Sequence, residues 1–247
     1  MTTEPRIVCL VPSITELLFD LGLGEQVVGR TGFCIHPWDA VRRVPKVGGT
    51  KDINMGRVRA LAPTHVIVNV DENRREDAET LRALVPNVVV THPTKPRDNL
   101  DLYRQMGALF DRDEQAESLC SRFEVAYAKA TATARPRRDV LYLIWRGPWM
   151  SVAPDTYISR TLAAFNWHTV PAAPADRYPE VDLADYAGAV DHVLLSSEPY
   201  HFKDRHIAEV AAAVPGADVR LIDGEMTSWY GSRALDALEY LMSYIGR

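Results

Sequence analysis

Short apolar segments alternate with helical patterns along both halves of this 247-residue chain, and this alternation limits the possible folds more than any other feature. Apolar segments that are separated by helices and have no polar face are typical of parallel sheets covered by helices. The first half is therefore predicted to be an α/β lobe. Its predicted strands are 6–11, 27–31, 64–70 and 87–92.

One long helical pattern, residues 113–133, interrupts the alternation and places Leu119 and Phe123 on the same face. At 1.5 Å per residue a helix of this length spans roughly 30 Å, the width of a small domain. Strands are predicted again after it, at 139–145, 190–196 and 218–223. The sequence thus predicts two Rossmann-like α/β lobes with parallel sheets, joined by one long backbone helix. The predicted boundaries are 1–110 for the first lobe, 111–135 for the helix and 136–247 for the second lobe.

Composition and charge argue against nucleic acid and membrane partners. The chain has 28 basic and 33 acidic residues, a formal net charge of −5, and its arginine clusters are short and interrupted. Such clusters do not form the basic track that follows a phosphate backbone. No apolar run approaches the roughly 20 residues of a membrane-spanning helix. The expected partner is therefore a small molecule, with no nucleic acid and no membrane insertion.

The N-terminal residues and the cysteines predict a cytoplasmic location. A secretory leader has a basic start and an unbroken apolar stretch, whereas the apolar run after MTTEPR is interrupted by Ser13, Glu16 and Asp20. Three widely spaced cysteines imply no disulfide framework, which also fits a reducing compartment.

Three stretches carry a resemblance to a known family. VPSITELLFDLG at 11–22 is followed by VGGTKDINMGRVRALAPTHVIVN at 47–69, and SWYGSRALDALEYL at 228–241 follows a strand that ends in LID. In this order and spacing they resemble the helical-backbone metal-chelate receptors, periplasmic binding proteins for vitamin B12, ferric siderophores and haem, and the vitamin B12-binding members most. The resemblance covers nearly the whole chain. It implies two lobes on a rigid helix, with a chelate held between them and little hinge motion.

The resemblance also implies docking on an ABC permease through one exposed glutamate on each lobe. At the aligned positions this chain has Gly56 and Gly231, and a glycine cannot form a charge-assisted contact. Docking on an ABC permease is therefore predicted to be absent, and the chain is predicted to be a cytoplasmic relative detached from transport. A periplasmic-type transport receptor is the alternative if a leader has been removed from the sequence.

Ligands of α/β folds bind at the carboxyl ends of the strands, so the loops there are the candidate site. Aromatic residues are frequent in these loops, and their flat rigid rings suit a macrocyclic or aromatic chelate, although some of them are expected to fill the core instead. Arg146 is expected to pair with an acidic ligand group or with an acid such as Glu198. The predicted ligand-binding residues are Ser13, Phe33, Cys34, His36, Trp38, Thr50, Asn69, Trp145, Arg146, Trp149, Tyr200, Trp229 and Tyr230.

Cys34-Ile35-His36 is the candidate metal-binding segment. In an extended loop, residues i and i+2 point to the same side, so a thiolate and an imidazole are placed to share one metal ion. In the vitamin B12-binding members the position aligned with His36 carries a tyrosine that lines the ligand cavity, and an imidazole there is a candidate axial ligand to cobalt or iron. The alternative is a buried, apolar Cys34 and a His36 that forms hydrogen bonds within the loop.

The predicted function is non-enzymatic binding of a corrinoid, haem or another metal chelate. No nucleophile elbow, P-loop or dinucleotide fingerprint is present in the sequence. Two alternatives remain. One is a chelate-modifying enzyme that uses Cys34 and His36, and the other is a binding protein for a bare metal ion or a small metabolite.

Overall fold

Each half of the chain builds one four-stranded parallel sheet in the computed structural model, which describes residues 4–246. The first structural unit contains the chain up to Pro93 together with Asn99–Arg122 and Tyr230–Arg233. The second contains Thr94–Asp98, Phe123–Trp229 and the chain from Ala234. The outer ends of the predicted lobes, residues 1–3 and 247, lie outside the described residues.

The sheet of the first unit has the strand order β2-β1-β3-β4. Its strands are apolar because helices cover both faces of a parallel sheet, and Ile7, Val8 and Cys9 of the central strand are fully buried. The strands are β1 (Ile7–Cys9), β2 (Val27–Arg30), β3 (His65–Asn69) and β4 (Asn87–Thr91). The helices are α1 (Pro12–Asp20), α2 (Trp38–Val41), α3 (Met55–Ala60), α4 (Arg75–Arg82) and α5 (Asp98–Phe110).

Local sequence explains where the first helix begins and ends. Pro12 occupies the first position of α1, where its missing N–H would have had no partner in any case. Gly22 follows the helix with a φ of 76°, a left-handed conformation that glycine adopts without a steric penalty.

The long helix, α6 (Asp113–Thr131), has two acidic residues in its first turn, which favour the positive end of the helix dipole. The boundary between the two structural units falls within this helix, between Arg122 and Phe123.

The sheet of the second unit repeats the same topology, with the order β6-β5-β7-β8. Its strands are β5 (Arg138–Leu143), β6 (Trp167–Val170), β7 (His192–Ser196) and β8 (Asp218–Ile222). Its helices are α7 (Tyr157–Ala163), α8 (Asp204–Ala213), α9 (Glu225–Ser228) and α10 (Ala234–Ile245), with a 3₁₀ turn at Leu183–Tyr186. Strand β6 is absent from the sequence prediction, but the predicted α/β fold with two parallel sheets is confirmed.

No helix within residues 4–246 is both long enough and apolar enough to span a membrane.

Candidate functional site

The topology of each sheet defines where a ligand crevice forms. In an open parallel sheet the crevice lies outside the carboxyl ends of the two strands from which the chain leaves in opposite directions. In the first unit these strands are β1 and β3, and in the second unit they are β5 and β7. The predicted site residues lie mostly in the loops that follow the strands of the two sheets, or at the start of a helix that follows one.

Exposed aromatic side chains occur only at these strand ends within residues 4–246. Phe33 is 61% exposed and Trp38 is 57% exposed, and both follow β2. Trp145 is 41% exposed and follows β5. Large apolar rings are normally buried for most of their surface, so their exposure at the carboxyl ends of strands makes these ends candidate contact surfaces.

In the first unit, the segment 31–41, called here the loop 31–41 although its last four residues form the short helix α2, turns Cys34 inward. The Cys34 thiol is fully buried and accepts a hydrogen bond from the Thr15 hydroxyl at 3.1 Å, and the Thr31 hydroxyl lies 3.2 Å from it. Burial raises the pKa of this thiol, with hydrogen bonds opposing the shift only in part. The structure therefore gives Cys34 the environment of a core residue rather than that of an accessible thiolate.

His36 lies on the same loop and is half-buried. The carboxylate of Glu16 lies near His36. Burial raises the pKa of Glu16, while the charges of Arg233 and His36 oppose this rise. Arg233 donates two hydrogen bonds to Glu16, at 2.6 and 2.8 Å. A buried ion pair thus lies close to His36, and sequence order gave no indication of it.

The described residues contain no group of three or more His, Cys, Asp and Glu side chains that could hold a metal ion. A bare metal ion therefore has no complete protein ligand set in residues 4–246. A metal that arrives already held in a chelate needs only one axial protein ligand, and the half-buried imidazole of His36 suits that role better than the buried thiol of Cys34.

Polar residues near the carboxyl ends of β3 and β4 are linked by hydrogen bonds. The backbone N–H of Asn69 donates to the Asn73 side-chain carbonyl at 2.8 Å, and the Asn69 amide donates to the carbonyl of Thr91 at 3.0 Å. Asn73 in turn donates to the carbonyl of Thr50 at 2.9 Å. Asn69 is 2% exposed, so these contacts shape the edge of the crevice from within.

Tyr230 and Ser13 are also buried in the first unit. The Tyr230 hydroxyl donates to Glu72 at 2.6 Å, and burial raises the pKa of Tyr230. The side chain of Ser13 lies close enough to lower the pKa of Tyr230 in part, although its hydroxyl forms no hydrogen bond with the described residues. Both residues were predicted to bind ligand, and the structure gives them a place in the interior of the unit.

The second unit carries an aromatic patch, defined here as Trp145, Trp149, Tyr200 and Phe202. Trp145 meets Tyr200 edge to face with ring centroids 5.7 Å apart, Tyr200 lies 4.7 Å from Phe202, and Trp149 stacks on Phe202 at 6.1 Å. Trp145 follows β5 and Tyr200 follows β7, so the patch spans the two strand ends that border the crevice.

Arg146 lies over the ring of Trp149, 5.7 Å from its centroid, and forms an ion pair with Glu209 of α8 at 2.8 Å. The expected partners were a ligand or an acid at the strand ends, such as Glu198. Glu209 was not among them because its place in the middle of a helical pattern gave no indication that it reaches the loop.

A cavity of about 560 Å³ opens at the ends of β7 and β8. Ser197, Phe202 and Tyr240 are among its lining residues, so the cavity adjoins the aromatic patch through Phe202. This volume falls within the range of small-molecule sites.

Trp229 has an interior role. Its indole N–H donates to the Glu198 carboxylate at 2.8 Å, and the Ser228 hydroxyl donates to the same oxygen at 2.7 Å. Burial raises the pKa of Glu198, although both hydrogen bonds oppose the rise. Trp229 is 8% exposed, so it stabilises the second unit and offers little surface to a ligand.

Gly231 cannot be the exposed docking position that the sequence alignment assigned to it. It is buried, its φ of 80° favours glycine, and an added Cβ would lie 3.1 Å from the carbonyl oxygen of Ser13. Its N–H donates to Asn99 at 2.7 Å and its carbonyl accepts from Tyr103 at 2.8 Å. Gly56 is exposed in the first turn of α3. The prediction that a docking glutamate is missing therefore depends on Gly56 alone.

Comparison with known proteins supports the predicted family. A family model described as periplasmic binding protein matches residues 7–174. The vitamin B12-binding protein of Vibrio parahaemolyticus is 23% identical over 201 residues, which cover 80% of this chain and 73% of that protein. Other vitamin B12-binding proteins match over less than half of their own length, as with the 49% for Photorhabdus laumondii.

Solved structures match the fold over almost the whole chain. The periplasmic vitamin B12-binding protein BtuF of Vibrio cholerae has a TM-score of 0.81 at 18% identity, with 98% of this chain and 96% of that chain covered. The periplasmic heme-binding protein RhuT of Roseiflexus sp. RS-1 has a TM-score of 0.81 at 22% identity, with 97% of each chain covered. At such identities the likeness shows the fold alone.

The predicted cytoplasmic location is wrong. The family model that matches residues 7–174 describes periplasmic binding proteins, which points to a place outside the cytoplasm. The prediction depended on a few residues at the start of the sequence, and a match over two thirds of the chain outweighs them.

Proposed function

Because the chain belongs to the periplasmic binding protein family, we propose that it binds a metal chelate of the corrinoid or haem type and releases it unchanged. The names of its relatives support this ligand class, since the curated relatives are vitamin B12-binding proteins and RhuT is a heme-binding protein. The proposal is specific about the ligand class and leaves the choice between a corrinoid and a haem to experiment.

The exposed aromatic residues at the strand ends carry the proposal. Phe33 and Trp38 in the first unit and Trp145 in the second keep 41–61% of their surface in contact with solvent. Covering apolar surface gains about 25 cal/mol per Å², and a planar ring system stacks well on rigid rings of this kind. These three side chains are the proposed contact residues, with Tyr200 and Trp149 supporting Trp145.

His36 is the proposed axial ligand to the metal of the chelate. Its loop holds it half-buried, and the carboxylate of Glu16 lies close enough for the two charges to interact. A carboxylate beside a metal-binding imidazole commonly orients the ring and raises its basicity. Binding without turnover is favoured over chelate modification because the Cys34 thiol, the proposed second working group of an enzyme, is buried with a raised pKa.

The experiment is a titration of the purified protein with cobinamide, cobalamin and haem, followed by native mass spectrometry and visible absorption. One bound chelate per chain and a shift of the visible bands are expected. His36→Ala is expected to abolish the band shift, while His168→Ala, which removes a half-buried imidazole on β6 instead, keeps it. Failure of the wild-type protein to bind any of the three chelates overturns the proposal.

We also propose that the chain does not dock on a vitamin B12-type ABC permease, because residue 56 lacks the side chain for that contact. Gly56 stands at the start of α3, where the resemblance places a docking glutamate, and has no side chain to offer. The test measures ATP hydrolysis by a vitamin B12-type permease in liposomes. The wild-type chain is expected to leave the rate unchanged and Gly56→Glu to raise it. Stimulation by the wild-type chain contradicts the proposal.

A further inference from the structure

Arg30 is a buried charged residue at the base of the candidate loop. It ends β2 and is 1% exposed, which makes it one of the largest fully buried side chains of the described residues. A charge removed from water is tolerated only where hydrogen bonds replace its hydration. The hydrogen-bond acceptors of the Arg30 guanidinium therefore show which part of the structure this buried charge supports.

All three hydrogen bonds of the Arg30 guanidinium are accepted by backbone carbonyl oxygens of the loop 31–41. Nε donates to the carbonyl of Val41 at 2.8 Å, and Nη1 donates to the carbonyls of Thr31 at 3.0 Å and Cys34 at 3.1 Å. One side chain thus binds the beginning, the middle and the end of the loop.

The same loop segment carries Phe33, His36 and Trp38 between the bonded carbonyls. Inside the loop, the Cys34 thiol is fixed by the hydroxyls of Thr15 and Thr31. Phe33 and Trp38 nevertheless remain more than half exposed. The backbone is therefore held from within while the side chains that face solvent stay available, which is the arrangement of a pre-formed binding loop.

We propose that Arg30 is a positioning residue that pre-organises the loop 31–41 for ligand binding, an inference that rests on the proposed function for its affinity effect. Ordering a loop or a long side chain at the moment of binding weakens affinity. A loop that is already ordered by Arg30 does not bear this cost. The planar guanidinium is needed because its donors diverge in a fixed fork, whereas a lysine ammonium at the same site reaches fewer of the three carbonyls.

The test compares Arg30→Lys with Arg42→Lys, which makes the same substitution at an exposed arginine next to the loop. Hydrogen exchange of peptides covering 31–41 is measured without ligand, and the affinity for haem and cobinamide is measured by titration. Arg30→Lys is expected to speed exchange in these peptides about ten-fold relative to β3 and β4 and to weaken affinity about ten-fold. Arg42→Lys is expected to leave both quantities at the wild-type level.

Unchanged exchange and affinity in a folded Arg30→Lys protein overturn the inference. If Arg30→Lys does not fold, the wild-type protein decides: slow exchange in 31–41 supports a pre-formed loop, and exchange at the rate of an unstructured peptide overturns it. If the wild-type protein binds none of the chelates, the proposed function fails while hydrogen exchange still tests the role of Arg30. Faster exchange with unchanged affinity shows that Arg30 orders the loop without assisting binding, and this outcome also overturns the inference.

Discussion

The loop 31–41 of the first unit and the aromatic patch of the second unit expose apolar rings at equivalent places, the carboxyl ends of parallel strands, but hold them in different ways. In the loop, the backbone is bound by Arg30, and Phe33 and Trp38 extend into solvent. In the patch, the rings pack on one another, and Phe202 belongs to the hydrophobic core of its unit.

In the loop 31–41, the exposed rings contribute little to the stability of the fold. In the aromatic patch, the same rings offer a contact surface and stabilise the core. A ring that is more than half exposed contributes little to folding, so the first unit can change its contact residues with a small loss of stability. In the second unit Trp149 and Tyr200 pack against the same core that Phe202 belongs to. A substitution in the patch therefore affects both the contact surface and the free energy of unfolding.

The largest expected effect comes from removing the buried ring of the patch. Phe202 is 2% exposed, and Phe202→Ala should lower the free energy of unfolding by about 3–5 kcal/mol, since it removes a core side chain and leaves a cavity. The matched change in the loop, Phe33→Ala, should stay within about 0.5 kcal/mol because that ring is exposed. Urea unfolding of both variants checks the comparison. Similar losses in the two variants would show that the loop rings are also part of a core.

The second largest effect concerns the Arg233–Glu16 ion pair near His36. Arg233→Met removes the partner of Glu16 and leaves a mostly buried carboxylate, which should lower the free energy of unfolding by about 3 kcal/mol. Arg104→Met breaks the exposed pair with Glu117 and should change stability far less, because water already solvates both charges. Thermal unfolding of the two variants measures the difference. An equal loss in both would mean that the pair near His36 is solvated and does not support the loop.

Residue patterns predicted the α/β halves and the long helix, because the positions that a fold buries are the positions that are apolar in the sequence. They missed β6, whose four residues alternate between buried and half-buried positions and form too short a run to stand out. They also placed the aromatic residues at strand ends correctly in the chain, without separating exposed rings from buried ones. Trp145 and Trp229 look alike in sequence, but only the structure shows that Glu198 binds the indole of Trp229.

The residues that support the candidate site were missed for a related reason. Glu209 and Arg233 pair with Arg146 and Glu16, which lie far from them in the chain, and no local pattern encodes such contacts. Arg30 was missed although its acceptors follow it closely in the chain, and a signal for it did exist, because a charged residue lies within the short predicted strand 27–31. Such a residue is either exposed or held by several hydrogen bonds, and only the second case has structural consequences.

A smaller effect, on affinity, tests whether the exposed rings of the two regions are contact residues. Trp145→Ala and Trp38→Ala should each weaken binding of haem or cobinamide about ten-fold, since a tryptophan at the centre of an interface commonly contributes this much or more. Trp38→Ala should unfold at close to the wild-type urea concentration because that ring is 57% exposed. Trp145→Ala should also unfold at a lower urea concentration than the wild-type protein, because Trp145 packs against Tyr200 of the patch. Wild-type affinity in one variant alone would assign the contact surface to the other region.

The smallest expected effect is a pH dependence of stability that comes from His206 in the second unit. His206 packs against Tyr200 and Phe202, and its Nδ1 accepts a hydrogen bond from the Lys203 backbone N–H at 2.9 Å, at the start of α8. Burial, and then the charges of Arg205 and Arg146, lower the pKa of His206 in the folded protein. The unfolded chain therefore takes up a proton first, so this residue's contribution to stability is complete above about pH 6.5 and declines as the pH falls below it.

His206→Gln isolates this contribution, because a glutamine at the third position of a helix can accept the same backbone N–H without titrating. Urea unfolding of the wild-type and His206→Gln proteins at about pH 7.5 and about pH 5.5 gives the two losses of stability. The wild-type protein should lose more, since His65 and His192, whose pKa values are also lowered mainly by burial, contribute equally to both proteins. Equal losses would show that protonation of His206 disturbs neither α8 nor the aromatic patch that His206 packs against.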